Sequence, residues 1–237
     1  MFKQVESIFR ENDIKYMICG GTLLGAATTR RFIPWDDDFD VCIFEEDYER
    51  AADLLIERLT DHAVLQCVKT DPNYYLGWMK VRDQKSHVYP DAPSFKENGV
   101  WIDLYKLVRM KKKEVPYVTA KENIDYLNRR LTAGGLTSEQ YQTRLVQGDL
   151  LSKQEEAECA MLESNDTEEV YMIWSASKIT LDVSWVLPLR HYLFEGLDVT
   201  SFAGAEAYLI RHYGDSYDRL PPDKLRRISI NRIDVFE

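Results

Sequence analysis

Trp35-Asp36-Asp37-Asp38-Phe39-Asp40-Val41-Cys42-Ile43-Phe44 places four carboxylates at the entry to an apolar run. The stretch from Phe39 to Phe44 has the composition of a buried β-strand, and along a strand alternate side chains share a face. Asp38 and Asp40 therefore project together, while Phe39 and Val41 turn into a core. Carboxylates this close repel one another, so at least two hold their protons abnormally tightly unless a cation neutralises them. Two parallel carboxylates on a rigid strand make a hard, all-oxygen pair suited to Mg²⁺ or Mn²⁺ shared with substrate phosphates. An EF-hand calcium loop beginning at Asp36 would use Asp38 and Asp40, but needs a glycine at position 41 and a glutamate at position 47. The chain has Val41 and Asp47 there. A merely solvated acidic turn is disfavoured because Trp35, Phe39 and Val41 tie the run to a strand.

Upstream, Tyr16-Met17-Ile18-Cys19 reads as a short strand stopped by Gly20-Gly21, after which Thr22 is expected to cap a short helix through Leu23, Leu24, Ala26 and Ala27. Missing side chains at Gly20 and Gly21 would let a phosphate reach backbone N–H groups at a helix N-terminus, with Thr22 adding a hydroxyl. The same glycines are equally compatible with a plain tight turn. Downstream, Val100-Trp101-Ile102-Asp103-Leu104-Tyr105 places an acid between apolar neighbours, which is costly without a partner such as a metal. Asp103 is thus the natural third carboxylate, as ligand or base. Lys80 and Arg82 share one face of another strand, where they either meet phosphate or line an exposed edge. Phosphoryl chemistry needs both an anion cradle and a cation bridging phosphate oxygens, and this pairing is what makes the glycine turn informative.

Working outward, Phe2, Val5, Ile8 and Phe9 recur at helical spacing, and residues 46–59 form a second amphipathic helix. Strands are expected at 63–68, 75–82 and 99–108, separated by the turns Asp71-Pro72-Asn73 and Pro90-Asp91-Ala92-Pro93. From 118 to 164 the texture becomes polar and helical, with Gly134-Gly135 dividing two helices. Tyr171–Trp174 and His191–Val199 read as strands, and Ala203–Tyr213 as a last helix closed by Gly214. The pattern is that of an α+β protein: a mixed sheet core with a helical insertion.

The chain has 237 residues, 45% of them hydrophobic and 12% aromatic, ample for a packed core. A formal net charge of −10 argues against nucleic-acid binding and against coating anionic lipid. The basic clusters Arg30-Arg31, Lys111 to Lys113 and Lys224-Arg226-Arg227 read first as solvated surface. Cys19, Cys42, Cys67 and Cys159 form no C-x-x-C pair, and the first three sit in apolar runs. No apolar run approaches the roughly 20 residues that span a bilayer. The charged start of the sequence is unlike a signal peptide. A cytoplasmic location is expected, with transient docking at the inner face of the membrane left open.

The segments Gly20-Gly21-Thr22-Leu23-Leu24-Gly25-Ala26 and Phe32-Ile33-Pro34-Trp35-Asp36-Asp37-Asp38-Phe39-Asp40-Val41 closely resemble the signature of the LicD family. These are phosphocholine transferases related to fukutin and fukutin-related protein. Lys80-Val81-Arg82-Asp83, Trp101-Ile102-Asp103-Leu104, Phe194-Glu195-Gly196 and Tyr213-Gly214-Asp215 with Pro221-Pro222 extend the likeness over most of the chain. The resemblance implies a nucleotidyltransferase (polymerase-β-like) fold: a catalytic core over 1–115, a helical insertion over 116–168, and a part over 169–237 completing the core. It implies Mg²⁺ on Asp38 and Asp40, with Asp103 as third acid. It also implies transfer of a phospho-alcohol, typically phosphocholine from CDP-choline, onto a glycan or glycolipid acceptor, with CMP leaving. The sequence departs from the family pattern at Thr28, where an arginine is usual, so Arg30 or Arg31 is expected to supply that charge. Asp103-Leu104-Tyr105 replaces Asp-Ile-Phe-Pro, and no histidine follows Pro221-Pro222.

A quaternary ammonium would need aromatic faces, for which Trp35, Tyr75, Trp78, Trp101 and Tyr105 are candidates; each is also an ordinary core aromatic. Glu195 either reaches the site or is a plain surface residue. Three function classes remain: phospho-alcohol transfer, transfer of a nucleoside monophosphate from a triphosphate with release of pyrophosphate, and a non-catalytic nucleotide- or sugar-binding homologue.

Overall fold

A computed structural model describes residues 1–89, 95–219 and 230–236. Pro90-Asp91-Ala92-Pro93, Pro221-Pro222 and Lys224-Arg226-Arg227 lie outside the described residues.

The chain opens with helix α1 (Phe2–Glu11), which buries Phe2, Val5, Ile8 and Phe9, the stripe its spacing predicts. Strand β1 (Tyr16–Ile18), helix α2 (Gly20–Thr28), strand β2 (Phe39–Phe44) and helix α3 (Glu45–Arg58) follow. β2 is buried along its whole length, as befits a continuous apolar run in a central position. Next come β3 (Ala63–Gln66), β4 (Met79–Asp83), β5 (Ser86–Tyr89) and the long β6 (Trp101–Lys111).

The main sheet runs β1-β2-β6-β4-β3. β2 and β6 are parallel and the other pairs antiparallel, giving a mixed sheet. The first half of β6 pairs with β2 and β4, and its second half with β7 (Glu169–Ile173), which carries β8 (Thr180–Asp182) on its far side. The register aligns Asp40 with Asp103 and Asp103 with Lys80 across three neighbouring strands. β4 is therefore interior, not the exposed edge that was the alternative for Lys80 and Arg82. Both side chains are buried, at 6% and 4% exposure.

Between β6 and β7 lie three helices: α4 (Val115–Thr132), α5 (Ser138–Gln147) and α6 (Leu150–Glu163). The sequence predicts two. The extra break falls at Gly148-Asp149, where Asp149 takes a left-handed φ of 49°. The expected strand over His191–Val199 is instead a hairpin, β9 (Arg190–Phe194) with β10 (Leu197–Ser201), turning at Glu195-Gly196 where both residues have positive φ. A short helix α7 (Val183–Val186) precedes it, and α8 (Ala205–Tyr213) follows, closed by Gly214 at φ 88°. The last strand, β11 (Arg232–Val235), pairs with β5 away from the main sheet. The core joins α1, α2 and α3 to the sheet through residues such as Phe9, Leu23, Ile43, Leu55 and Leu104. Each such side chain contributes about 1.5–3 kcal/mol of burial energy. The framework under the site is therefore rigid.

Candidate active site

Asp40 sits in β2, Asp38 in the bend just before that strand begins, and Asp103 beside Asp40 on β6. One oxygen from each lies within 4.8 Å of the others. The parallel register brings Asp40 and Asp103 together, and the bend leading into β2 adds Asp38.

The glycine turn serves the carboxylates directly. Gly20 has φ +53°, and a Cβ there would stand 2.1 Å from Asp40 Oδ2; a Cβ on Gly21 would stand 2.3 Å from Asp36 Oδ2. Side chains at either position would displace the acids. The Gly21 N–H donates to Asp40 Oδ2 at 3.2 Å, and the Gly20 N–H donates to the Tyr208 hydroxyl at 3.0 Å. The start of α2 thus presents its positive end to Asp40, and Tyr105 donates its hydroxyl to Asp40 Oδ1 at 3.1 Å.

Thr22 is not the helix cap: α2 begins at Gly20, with Cys19 as its N-cap residue. Thr22 is fully buried, and its Oγ1 accepts the Asp40 backbone N–H at 2.8 Å. It supports the strand that carries Asp40, and its hydroxyl is turned away from solvent.

Asp103 receives the Trp78 indole N–H on Oδ1 at 2.7 Å and the Trp101 indole N–H on Oδ2 at 3.0 Å. Lys80 Nζ lies 2.6 Å from Oδ1 and 4.4 Å above the Trp101 ring. Lys80 therefore balances the charge of Asp103 inside the cluster. Arg82 is committed elsewhere, donating to Gln66 Oε1 at 3.0 Å and the Gly99 carbonyl at 2.7 Å. Arg30 and Arg31 are exposed, and neither lines the clefts beside the acids.

Burial, reinforced by the neighbouring carboxylates, pushes Asp38 up to about 9 and Asp40 to about 7. Burial and Asp37 raise Asp36 to about 6. A cation would reverse this, because it stabilises the charged forms that burial penalises. The donor set fits Mg²⁺ or Mn²⁺: three convergent carboxylates, all oxygen, two on paired strands and one at the entry to β2. Asp36 and Asp37 shape the loop. Asp37 Oδ2 accepts the Ile230 N–H at 3.1 Å, while Asp36 Oδ2 is buried against Gly21 with no hydrogen-bond partner among the described residues.

Two clefts open on the cluster. One, of about 710 Å³, is lined by Asp38 together with Phe32, Trp101, Ile230 and Ile233. The other, of about 170 Å³, is lined by Asp40, Gly20, Gly21, Ser175, Tyr208 and Tyr213. Trp78, Trp101 and Tyr105, considered as cation-binding faces, act here as hydrogen-bond donors to the acids. Tyr75 packs against Phe95 and Tyr126 instead. Tyr208 carried no sequence signal, since its partner Gly20 is 188 residues away.

An α+β protein with a carboxylate triad at two adjacent parallel strands and the bend that enters one of them, braced by a Gly-Gly helix start, is the class that fold and site define. Residues 13–133 match the family model described as LicD/FKTN/FKRP, nucleotidyltransferase domain, and the chain belongs to that family. It is 31% identical over 93 residues to the lipopolysaccharide cholinephosphotransferase LicD of Haemophilus influenzae, covering 39% of this chain and 34% of that protein. It is 45% identical over 47 residues to uncharacterized proteins of Rickettsia prowazekii and Rickettsia typhi, covering 20% of this chain and 18% and 15% of theirs. The matched part thus spans about a third of the Haemophilus protein. No helix among the described residues is long and apolar enough to cross a membrane.

Proposed function

We infer that the chain is a Mg²⁺-dependent transferase on a nucleotidyltransferase fold. In this reading it moves a phospho-alcohol, most simply phosphocholine from a CDP-choline-like donor, onto a hydroxyl of a glycan or glycolipid acceptor. The observation that carries it is the convergence of Asp38, Asp40 and Asp103 within 4.8 Å, two of them on paired strands and the first at the entry to β2. The family and its cholinephosphotransferase member supply the kind of group transferred.

Asp38 and Asp40 would hold the metal, and Asp103 is the third acid and the proposed proton acceptor for the attacking hydroxyl. Bound there, a divalent cation would neutralise phosphate charge and orient the reacting phosphorus. The chain's own residues do the rest. Gly20 and Gly21 leave room for the acids, the Gly21 N–H and Tyr105 hydroxyl orient Asp40, and Trp78, Trp101 and Lys80 fix Asp103.

The test is ³¹P NMR of the protein with Mg²⁺ and CDP-choline plus a glycan acceptor, and separately with nucleoside triphosphates. CMP with a phosphocholine-bearing product is expected. Pyrophosphate from triphosphates, with CDP-choline untouched, would sink this reading in favour of nucleotidyl transfer.

A further inference from the structure

Arg82 is a buried guanidinium with no acid at ion-pair distance among the described residues. Asp103, the acid on the neighbouring strand, is paired with Lys80 instead, and acts on Arg82 only from farther away. A cation taken out of water without a counter-charge is costly unless something else receives it. Two neutral acceptors fix its direction: Nε donates to Gln66 Oε1 at 3.0 Å and Nη1 to the Gly99 carbonyl at 2.7 Å. Gln66 is itself tied to Asp71 Oδ2 at 2.8 Å, so the guanidinium has no slack. So fixed, its central carbon lies over the Trp101 ring, 4.9 Å from the centroid.

Strand register explains the stack. β4 and β6 pair Arg82 with Trp101 and Lys80 with Asp103, which places these four side chains on one face of two strands. Lys80 Nζ reaches diagonally to 4.4 Å from the centroid of the same ring. Two cations against one indole hold its plane and draw on its π electrons, which makes the ring N–H a stronger donor. That N–H is the one given to Asp103 Oδ2 at 3.0 Å, whereas Oδ1 takes Trp78 and Lys80. Rotation of the carboxylate is therefore set at one oxygen by Trp78 and Lys80 and at the other by Trp101. Trp78 serves the same acid with no cation over its ring among the described residues; it is tilted against Tyr105 at 5.6 Å.

We propose that Arg82 is a positioning residue of the active site: its cation, together with that of Lys80, holds the Trp101 indole in the orientation that fixes Asp103 Oδ2. Contact runs from Asp71 in the loop after β3, through Gln66, Arg82 and Trp101 on three strands, to the third acid. Arg82 acts through Trp101 and not on the reacting atoms. Its effect on turnover rests on the transferase reading above; its hold on the indole does not.

The test is ¹H–¹⁵N NMR of the tryptophan side-chain N–H groups, with the Trp101 and Trp78 signals identified by their loss in Trp101→Phe and Trp78→Phe. Arg82→Met removes the charge and keeps the length of the side chain; should that variant fail to fold, Arg82→Gln takes its place. The Trp101 indole proton is expected to move upfield and to exchange with water roughly tenfold faster. The Trp78 proton should stay where it is, and Arg82→Lys, which keeps a cation, should retain most of the protection. An unchanged Trp101 signal, equal changes at both indoles, or Arg82→Lys as perturbed as Arg82→Met would each overturn the proposal. In turnover, Arg82→Met should lower kcat about tenfold with KM little changed, and should add nothing further in the Trp101→Phe background. Additive losses in the double variant would overturn it as well. A protein that transfers nothing sinks the transferase reading alone, because the indole signals still decide on Arg82.

Discussion

Asp38 and Asp40 retain protons in the folded, metal-free protein at pH values where an unfolded chain has lost them. With folded values near 9 and 7 against an ordinary 3.8, the native state binds more protons between about pH 4 and 9, so its stability falls as pH rises through that window. The melting temperature of metal-free protein should therefore drop from pH 5 to pH 9 by several degrees, at about 2–4 °C per kcal/mol for a chain of this size. Saturating Mg²⁺ should offset the drop, most strongly at high pH, because binding requires the deprotonated acids. A melting temperature that is flat or rising, unchanged by Mg²⁺, would remove the cation from the account. Asp38→Asn should abolish turnover, by at least about a hundredfold, while flattening the pH slope of the metal-free protein; near-normal rates would show that the metal assignment is wrong. Gly20→Ala tests the turn: φ +53° costs about 1 kcal/mol for alanine, and the new Cβ must push Asp40 aside. Activity should fall far more than stability, as compared by turnover and urea unfolding. The convergence of Asp38, Asp40 and Asp103 was legible in the sequence because acids crowded at a strand entry and an acid among apolar neighbours are local signals. Tyr208, and the indoles of Trp78 and Trp101 as donors to Asp103, were not, since each role depends on a partner brought close by the fold.

Helix α2 and strand β2 are coupled by one buried hydrogen bond, Asp40 N–H to Thr22 Oγ1 at 2.8 Å. Thr22→Val keeps the shape and removes the acceptor, leaving a buried N–H unpaired. Urea unfolding should show a loss of about 1–3 kcal/mol, and a loss under about 0.5 kcal/mol would mean the bond does not hold the strand. Sequence periodicity located β2, α1 and α3 because their apolar spacing is strong and uninterrupted. It failed where chain reversal needed no glycine–proline cluster. Glu195-Gly196 folds His191–Val199 into a hairpin through two positive φ angles, and Asp149 divides a helix with the same device. Thr22 was misread as a cap for a related reason: Gly20 starts the helix two residues sooner, since only glycine tolerates both its φ and the closeness of Asp40. The basic face of β4 was ambiguous until pairing made it interior, which turned Lys80 into a partner of Asp103 and Arg82 into a brace for Gln66 and Gly99.

Across the molecule the packing is uneven. β2 is buried throughout, whereas α5 and α6 contain no buried residue and leave Val146, Leu151 and Leu162 exposed at 76%, 58% and 73%. α4 ties these helices down: it buries Ile124 and Leu127, and Arg129 donates to the Tyr75 carbonyl at 3.0 Å and pairs with Glu122. Regions with few buried apolar contacts open locally at a fraction of the global unfolding free energy, while central strands exchange only on near-complete opening. Amide hydrogen exchange should therefore be faster in Ser138–Glu163 than in β2 and β6 by roughly a hundredfold or more, since about 1.4 kcal/mol gives each tenfold. Arg129→Ala should accelerate exchange further across α4, α5 and α6 and leave β2 and β6 unchanged, because among the described residues the hydrogen bonds that brace the triad come from Gly21, Thr22, Trp78, Trp101 and Tyr105 and none comes from the three helices. Protection in α5 and α6 equal to that of β2 would show that the helices and the site share one cooperative unit. Slower turnover in Arg129→Ala, with β2 still protected, would show that the helices contribute to catalysis without bracing the acids.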